Sequence, residues 1–285
     1  MDTVIMKKYH GLGNDYLILD PNKNQIQLQP RHMERLCRRN FGVGADGILY
    51  GPVSKEEPWS VEIYNPDGSV AGNSGNGVRI FAKYLLDEGY VCDSSFWVTA
   101  PAGKILIELL DETGNKMRVN MGKPCFASSA VPVAGIKDSE VINEPLCFHG
   151  NIYNTTCLSM GNPNCVIMLE EISHKKAIEL GPYVEQANYF PNRMNMQLLK
   201  VLDRENIQIE IYERGAGYTL ASGTGACAAA AAAHRMGMTE RLVHVHMPGG
   251  ELLIEIAEDG SLYMTGEVTY IGEIRLSENF LALSV

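Results

Sequence analysis

The chain has 285 residues, a 45% hydrophobic fraction and a formal net charge of −10. That length suits one large domain or two smaller ones, and the acidic charge disfavours nucleic acids and anionic membranes as partners. The sequence contains no 18-residue apolar run, so it predicts no membrane-spanning helix. Residues 1–8 do not resemble a signal peptide. Seven scattered cysteines without a CxxC pair indicate reduced thiols, so we expect a cytoplasmic protein.

Strands dominate the predicted secondary structure of both halves of the chain. The first half contains predicted strands at 4–6, 16–20, 61–64, 96–100, 105–110 and 117–121, with helices at 31–39 and 75–88. The second half contains predicted strands at 152–160, 166–169, 195–202, 207–213, 243–247 and 252–256, with helices at 174–180 and 223–236. A last strand is predicted at 272–284, and we expect it to return to the first half.

Two unlike sequence features repeat at one spacing. Asn14 and Asn162 each follow a glycine just ahead of an apolar run, and they are 148 positions apart. Ser74 and Ser222 each begin a Ser-Gly-x-Gly motif ahead of a predicted helix, and they are also 148 positions apart. A shared spacing of this kind indicates an internal duplication.

The repeat and the element pattern together predict the fold class. We expect an α+β fold with two pseudo-symmetric lobes, each a curved, mostly antiparallel sheet wrapped around a central helix, and an active site in the cleft between them. The predicted N-terminal lobe comprises residues 1–125 and 272–285, and the predicted C-terminal lobe comprises residues 126–271.

The two glycine motifs suggest anion binding at helix N-termini. A glycine loop that leads into a helix presents backbone N–H groups to an anion, although a tightly packed core helix with a glycine start would show the same pattern. Helix N-termini on the two sides of a substrate Cα would also stabilise negative charge during inversion by proton transfer. The sequence therefore favours a carboxylate ligand and a racemase or epimerase reaction.

Other types of site fit the sequence less well. Neither motif continues into the Gly-Lys-Ser/Thr of a P-loop, and Ser222 lacks the G-x-S-x-G of a hydrolase elbow. Gly42-x-Gly44-x-x-Gly47 matches a dinucleotide fingerprint, but no predicted strand precedes it. His244 and His246 with His234 lack a recognisable metal-ligand spacing, so we predict no metal site.

Several motifs along almost the whole chain resemble those of diaminopimelate epimerases. They are His10-Gly-Leu-Gly-Asn-Asp-Tyr, Gly42-Val-Gly-Ala-Asp-Gly, Asn65-Pro-Asp-Gly-Ser, Gly75-Asn-Gly-Val-Arg, Met160-Gly-Asn-Pro, Phe190-Pro-Asn-Arg-Met-Asn and Tyr212-Glu-Arg-Gly-Ala-Gly. The resemblance implies interconversion of LL- and meso-diaminopimelate for lysine and peptidoglycan synthesis. It also implies an acid–base pair of two cysteines, no pyridoxal phosphate or other cofactor, no metal, and a homodimer.

The resemblance also implies roles for individual residues. Asn14 matches the asparagine near the reacting end of the substrate, and Glu213 matches the acid paired with the distal ammonium. The set that holds the distal carboxylate is matched by Asn65, Asn162, Asn195 and Arg214. The backbone and side-chain donors around the reacting carboxylate are matched by Gly75, Asn76, Gly223 and Thr224.

The chain departs from the family pattern at its catalytic positions. Ser74 and Ser222 stand where the resemblance implies the two acid–base cysteines. A serine hydroxyl is far less acidic than a thiol, whose pKa of about 8.5 is lowered further at a helix N-terminus. No strong base is suggested near either serine by the sequence, so we expect very low epimerase activity. The two serines fit either an engineered pair or a natural homologue with altered chemistry.

Two further departures concern the substrate, and two other functions remain open. Asn164 stands where the resemblance implies a histidine, and Tyr218 stands where it implies a glutamate. One alternative is a cofactor-independent racemase of another amino acid, such as histidine or a basic amino acid. The other is a non-catalytic protein that binds amino acids in the same pocket.

Overall fold

The computed structural model describes residues 4–26, 28–71, 74–101, 103–136 and 139–282. The chain divides into two compact units, one formed by Met1–Val119 with Gly266–Val285 and the other by Asn120–Thr265. The N-terminal lobe predicted from the sequence ends at residue 125 and resumes at residue 272. The first unit of the structure ends at residue 119 and resumes at residue 266, so each boundary differs by six residues.

Eighteen strands and five helices are assigned in the described residues. The strands are β1 (Ile5–Gly11), β2 (Asn14–Leu19), β3 (Gly47–Tyr50), β4 (Trp59–Ser60), β5 (Glu62–Tyr64), β6 (Ser95–Ala100), β7 (Gly103–Leu109), β8 (Lys116–Gly122), β9 (Val141–Phe148), β10 (Asn151–Ser159), β11 (Pro163–Met168), β12 (Asn195–Val201), β13 (Asn206–Glu213), β14 (Gly217–Thr219), β15 (Leu242–Met247), β16 (Gly250–Ile256), β17 (Leu262–Glu267) and β18 (Thr269–Arg275). The helices are α1 (Pro30–Cys37), α2 (Gly75–Asp87), α3 (His174–Glu185), α4 (Gly223–Arg235) and α5 (Glu278–Ala282).

In the first unit, strands surround one buried helix. Five strands pair in the order β18-β1-β2-β3-β5, and β4-β6-β7-β8 form a second series. The β2–β3 and β4–β6 pairs are parallel, whereas β1–β2, β3–β5, β6–β7 and β7–β8 are antiparallel. Helix α2 lies against β1, β2 and β6, and it is buried from Gly75 through Leu85.

The second unit repeats this strand order. Its strands pair in the order β9-β10-β11-β12-β13-β15-β16-β17, with parallel pairs at β11–β12 and β13–β15. Helix α4 lies against β10, β11, β12, β13, β15 and β16, and it is buried from Gly223 through Ala233. Both α2 and α4 have 13 residues. In the second unit, the single strand β13 occupies the position that β5 and β4 occupy together in the first unit.

The predicted sheet-dominated α+β fold is therefore confirmed. The beginnings of α2 and α4 at Gly75 and Gly223 are as predicted, and the ends differ by one residue. Alanine explains why α4 can be buried on every side, because it combines high helix propensity with little bulk.

The predicted last strand at 272–284 is wrong from residue 276 to residue 282, and residues 283 and 284 lie outside the described residues. Strand β18 ends at Arg275 and α5 begins at Glu278. Ser277 Oγ accepts a hydrogen bond from Phe280 N at 3.2 Å, which is the local signal for a helix start. The expectation that this segment returns to the first half is confirmed, because β18 pairs with β1.

Helix α3 continues five residues past its predicted end at 180, to Glu185, although Pro182 lies inside it. Gly181, Val184 and Glu185 are buried in this extension, and α3 lies against β12, β13 and β14. Burial of this face therefore outweighs the local cost of proline, which sequence propensity alone could not reveal.

Gly181 offers a test of this packing. A Cβ added to Gly181 would lie 2.2 Å from Tyr212 Cγ. Gly181→Ala should therefore lower the free energy of unfolding by about 1–3 kcal/mol, although alanine favours a helix over glycine by about 1 kcal/mol. Urea denaturation measures the change, with the exposed Glu179→Ala on the same helix as a control expected to stay within about 0.5 kcal/mol. Stabilisation by Gly181→Ala would contradict the packing described.

Candidate active site

Ser74 and Ser222 are the N-cap residues of the two buried helices. Ser74 Oγ accepts a hydrogen bond from Gly77 N at 3.0 Å, and Ser222 Oγ accepts one from Gly225 N at 3.2 Å. A Cβ on either glycine would approach the serine side chain to 3.1–3.2 Å, so the second glycine of each motif leaves room for the cap. The repeated Ser-Gly-x-Gly motif is thus one N-cap used twice.

The two serines differ in their second partner. Ser74 Oγ lies 3.1 Å from the hydroxyl of Tyr16. Ser222 Oγ donates to Glu213 Oε2 at 3.3 Å, and Glu213 Oε1 accepts from Thr219 Oγ1 at 2.7 Å. The sequence suggested no base close to either serine, but the fold brings a carboxylate to Ser222. A carboxylate is a far weaker base than an alkoxide, so Glu213 cannot deprotonate a serine hydroxyl.

An ordered chain of polar side chains lies beside α2. Asp46 Oδ2 accepts from Asn14 Nδ2 at 2.9 Å, and Asp46 Oδ1 accepts from Arg39 at 2.7 Å. Asn14 Oδ1 accepts from Asn76 Nδ2 at 3.1 Å. Asn76 Oδ1 in turn accepts from the fully buried Arg79 at 2.7 Å. Because a carboxylate only accepts and a guanidinium only donates, the orientation of both amides follows.

The equivalent residues beside α4 form a second network. Asn162 Nδ2 donates to Thr224 Oγ1 at 3.1 Å. Asn164 Nδ2 donates to the backbone oxygen and to Oδ1 of Asn162, at 2.8 and 3.0 Å. Asn164 Oδ1 accepts from Gln197 Nε2 at 3.1 Å. Asn14 and Asn76 are as far apart along the chain as Asn162 and Thr224 are. Each residue of the first pair lies 148 positions before its equivalent in the second pair, which supports the duplication inferred from the sequence.

Asn195 and Arg214 are hydrogen-bonded in the second unit, and Arg214 lines a cavity. Asn195 Oδ1 accepts from Arg214 N at 2.8 Å, and Asn195 Nδ2 donates to Pro163 O at 3.0 Å. The guanidinium of Arg214 donates to Asn192 O at 2.9 Å. The cavity, of about 400 Å³, is lined by Arg214 and by Gly161 and Pro163, the two neighbours of Asn162. Of the four residues matched to the distal carboxylate, Arg214 lines this cavity, and Asn195 holds the backbone at Arg214 and Pro163.

Asn65 and Tyr218 have partners of their own. Asn65 is exposed and its Nδ2 donates to Ser69 Oγ at 2.9 Å within a turn. Among the described residues, no hydrogen bond joins Asn65 to Asn14 or Ser74. The Tyr218 hydroxyl donates a hydrogen bond to the buried Glu210 at 2.6 Å. Burial, and to a lesser extent this hydrogen bond, raises the pKa of the Tyr218 phenol.

The comparisons with known proteins identify the family. Residues 6–127 and 156–271 match the model of the diaminopimelate epimerase family. The chain belongs to the diaminopimelate epimerase family. It is 46% identical over 277 residues to diaminopimelate epimerase 2 of Nostoc sp., covering 97% of this chain and 96% of that protein. It is 36% identical over 274 residues to diaminopimelate epimerase of Leptospira biflexa, covering 94% and 98%. An isomerase of the epimerase class is therefore supported.

Solved structures with the same fold are more distant in sequence. A hydroxyproline epimerase from Agrobacterium vitis matches with a TM-score of 0.69 at 11% identity, over 97% of this chain and 91% of that chain. A probable proline racemase from Agrobacterium radiobacter matches with a TM-score of 0.68 at 13% identity, over 96% and 93%. At this level of identity, the likeness concerns the fold.

Among the residues that the structure describes, no group of three or more His, Cys, Asp or Glu side chains is placed to hold a metal ion. The ring of His246 lies against Asn206 and Glu251 instead. None of the helices within the described ranges is both long and apolar enough to span a membrane.

Several residues important to this site carried no clear sequence signal. Asp46 lies between Gly44 and Gly47, where a turn would account for it, yet it accepts hydrogen bonds from Asn14 and Arg39. Gln197 and Arg79 sit in apolar runs that predict core positions, and both are fully buried. The one available cue was a polar residue within an otherwise apolar element, since such residues are seldom buried without a partner.

Asp15, next to Asn14, should make stability depend on pH. Burial raises the pKa of Asp15, but hydrogen bonds from Arg39 and Lys8 outweigh it, so the pKa lies below its usual value. This contribution is present above the unfolded pKa of about 3.9 and is lost as pH falls through the folded pKa. Asp15→Asn should therefore shrink the difference in unfolding free energy between pH 7 and pH 3, measured by urea denaturation. Parallel pH curves for both proteins would contradict this role.

Proposed function

We propose that the chain binds LL- and meso-diaminopimelate and, with Ser74 and Ser222 in place, exchanges the α-proton very slowly. The observation that carries the proposal is the pair of matched N-caps at residues 74 and 222 in a member of the diaminopimelate epimerase family. The family resemblance assigns an acid–base pair of cysteines to these positions. By the same resemblance, we propose a cytoplasmic homodimer without a cofactor.

The surroundings of each N-cap support two different acid–base roles. A side chain at either position meets a backbone N–H of the first helical turn, which would favour a thiolate. At position 74 the Tyr16 hydroxyl could donate a further hydrogen bond to that thiolate. At position 222 the Glu213 carboxylate would instead favour a protonated thiol, because like charges repel. A cysteine at 74 would then rest as the base and one at 222 as the acid.

The cavity beside Arg214 supports a ligand with a second amino-acid head group. A guanidinium has five N–H donors in a fork that matches a carboxylate, and Arg214 uses one nitrogen for Asn192 O. Its remaining donors suit a carboxylate more than an apolar group. Diaminopimelate carries such a carboxylate at its distal end, whereas lysine, ornithine and histidine do not.

Restoring the two thiols should restore proton transfer. We expect Ser74→Cys with Ser222→Cys to exchange the α-proton of LL-diaminopimelate in D2O at least about 100-fold faster than the unaltered chain, the lower end of what general acid–base catalysis contributes. Proton NMR follows the loss of the Hα signal. Ser173→Cys is the matched control, because Ser173 is also an N-cap, on α3, and accepts from Lys176 N at 3.2 Å.

The outcomes separate the candidate functions. Exchange in the doubly restored chain and none with Ser173→Cys supports the epimerase. Exchange with histidine, lysine or ornithine but not with diaminopimelate would support a racemase of another amino acid. Binding of diaminopimelate without exchange after restoration would support the non-catalytic amino-acid binding protein.

Arg214 should decide the choice of ligand. Arg214→Lys retains the backbone N–H that donates a hydrogen bond to Asn195, but it loses the planar guanidinium. Calorimetry should show tighter binding of LL-diaminopimelate than of lysine by the unaltered chain. In Arg214→Lys the affinity for diaminopimelate should fall about tenfold or more while that for lysine changes little. A clear preference of the unaltered chain for a ligand without the distal carboxylate would overturn the proposed substrate.

A further inference from the structure

We propose that Asn164 is a positioning residue that fixes Asn162 as a hydrogen-bond donor beside the N-terminus of α4. This gives the second unit a preference for a carboxylate over a group that can donate. The inference rests on the proposed function, because it specifies how a part of that site recognises its ligand.

The orientation of the Asn164 amide follows from a backbone carbonyl. Asn164 Nδ2 lies 2.8 Å from the backbone oxygen of Asn162, which can only accept. The same nitrogen lies 3.0 Å from Asn162 Oδ1 and donates to it. With its oxygen held in this way, Asn162 must direct Nδ2 elsewhere, and Nδ2 lies 3.1 Å from Thr224 Oγ1.

Gln197 supports the same orientation from the other side. Its Nε2 donates to Asn164 Oδ1 at 3.1 Å, and both side chains are fully buried. Turning the Gln197 amide over would bring two oxygens together at that distance. Gln197 Oε1 has no hydrogen-bond partner among the described residues, which is a cost that an apolar residue would avoid. Retaining a glutamine here therefore points to a role in orienting Asn164.

The consequence is a donor surface where α4 begins. Thr224 Oγ1 accepts from Asn162, so the hydroxyl hydrogen of Thr224 remains for another acceptor. Asn162 Nδ2 has a second hydrogen, and the first turn of α4 adds backbone N–H groups. Donors of this kind suit a carboxylate, which accepts at both oxygens.

The first unit shows that this polarity is not a property of the fold. There the equivalent asparagine, Asn14, accepts from the helix residue Asn76 instead of donating to it. Its polarity is set by Asp46 and, through Asn76, by Arg79. In the second unit the positions 148 residues after Asp46 and Arg79 hold Met194 and Cys227, which are apolar and buried.

The reverse comparison gives the same result. The positions 148 residues before Asn164 and Gln197 hold Tyr16 and Leu49. Each unit thus sets the polarity of one repeated asparagine with residues that the other unit lacks. A device that served packing alone would have no need for opposite polarity in the two units.

The test reverses the polarity with an isosteric change. In Asn164→Asp the carboxylate can accept from Gln197 but cannot donate to Asn162, so the Asn162 amide should turn over. Calorimetry compares LL-diaminopimelate with its bis-carboxamide, in which both carboxylates are replaced by groups that donate and accept. We expect the preference for the acid over the amide to fall at least tenfold in Asn164→Asp, and part of the way in Asn164→Ala.

Asn24→Asp is the matched control. Asn24 is a buried asparagine of the first unit whose Nδ2 donates to the backbone oxygens of Ile5 and Asp20. Its replacement also buries a carboxylate and loses two donated bonds, so stability should fall while the acid-to-amide preference stays unchanged. Thermal unfolding identifies any variant that does not fold, and Asn164→Ala then carries the test without a buried charge.

The outcomes distinguish this inference from the proposed function. If the unaltered chain does not prefer the acid, the proposed carboxylate recognition fails. If the unaltered chain prefers the acid and both Asn164 variants keep the full preference, the positioning role is overturned. Loss of the preference in Asn24→Asp as well would also overturn it, because a general loss of stability would then explain the effect.

Discussion

The N-cap hydrogen bond of a buried helix is the interaction on which both units depend. Helices α2 and α4 are enclosed by strands along most of their length, so the N–H groups of their first turns cannot all be left to water. Ser74 and Ser222 each satisfy one of these groups. The remaining groups concentrate partial positive charge where each helix begins, and the polar residues of each unit gather there.

The same cap limits the chemistry available to the chain. A side chain that accepts from a helix N–H is well placed to carry negative charge, and a thiol uses this environment better than a hydroxyl. Glu213 does not remedy the difference at Ser222, since a carboxylate is too weak a base for a hydroxyl. With serine at both caps, neither position carries a group suited to removing a proton from carbon.

The sequence predicted much of this structure because its strongest signals are local. The alternating apolar strands, the glycine motifs and the repeat spacing predicted the fold class and the starts of α2 and α4. What failed depends on partners distant in sequence. The extension of α3 through Pro182 requires burial against β12, β13 and β14, and the contact between Ser222 and Glu213 requires the turn through β14. Amide polarity beside Asn14 and Asn162 depends on Asp46, Arg79, Asn164 and Gln197, which a single sequence does not connect.

The central claim is that the unaltered chain holds its ligand but lacks the groups that would ionise it. The most direct measurement is proton NMR of LL-diaminopimelate in D2O with a saturating amount of the unaltered protein, followed over many hours. The account predicts ligand signals broadened by binding, with the Hα signal retained throughout. Steady loss of the Hα signal, at a rate comparable with that of the doubly cysteine-restored protein, would contradict it.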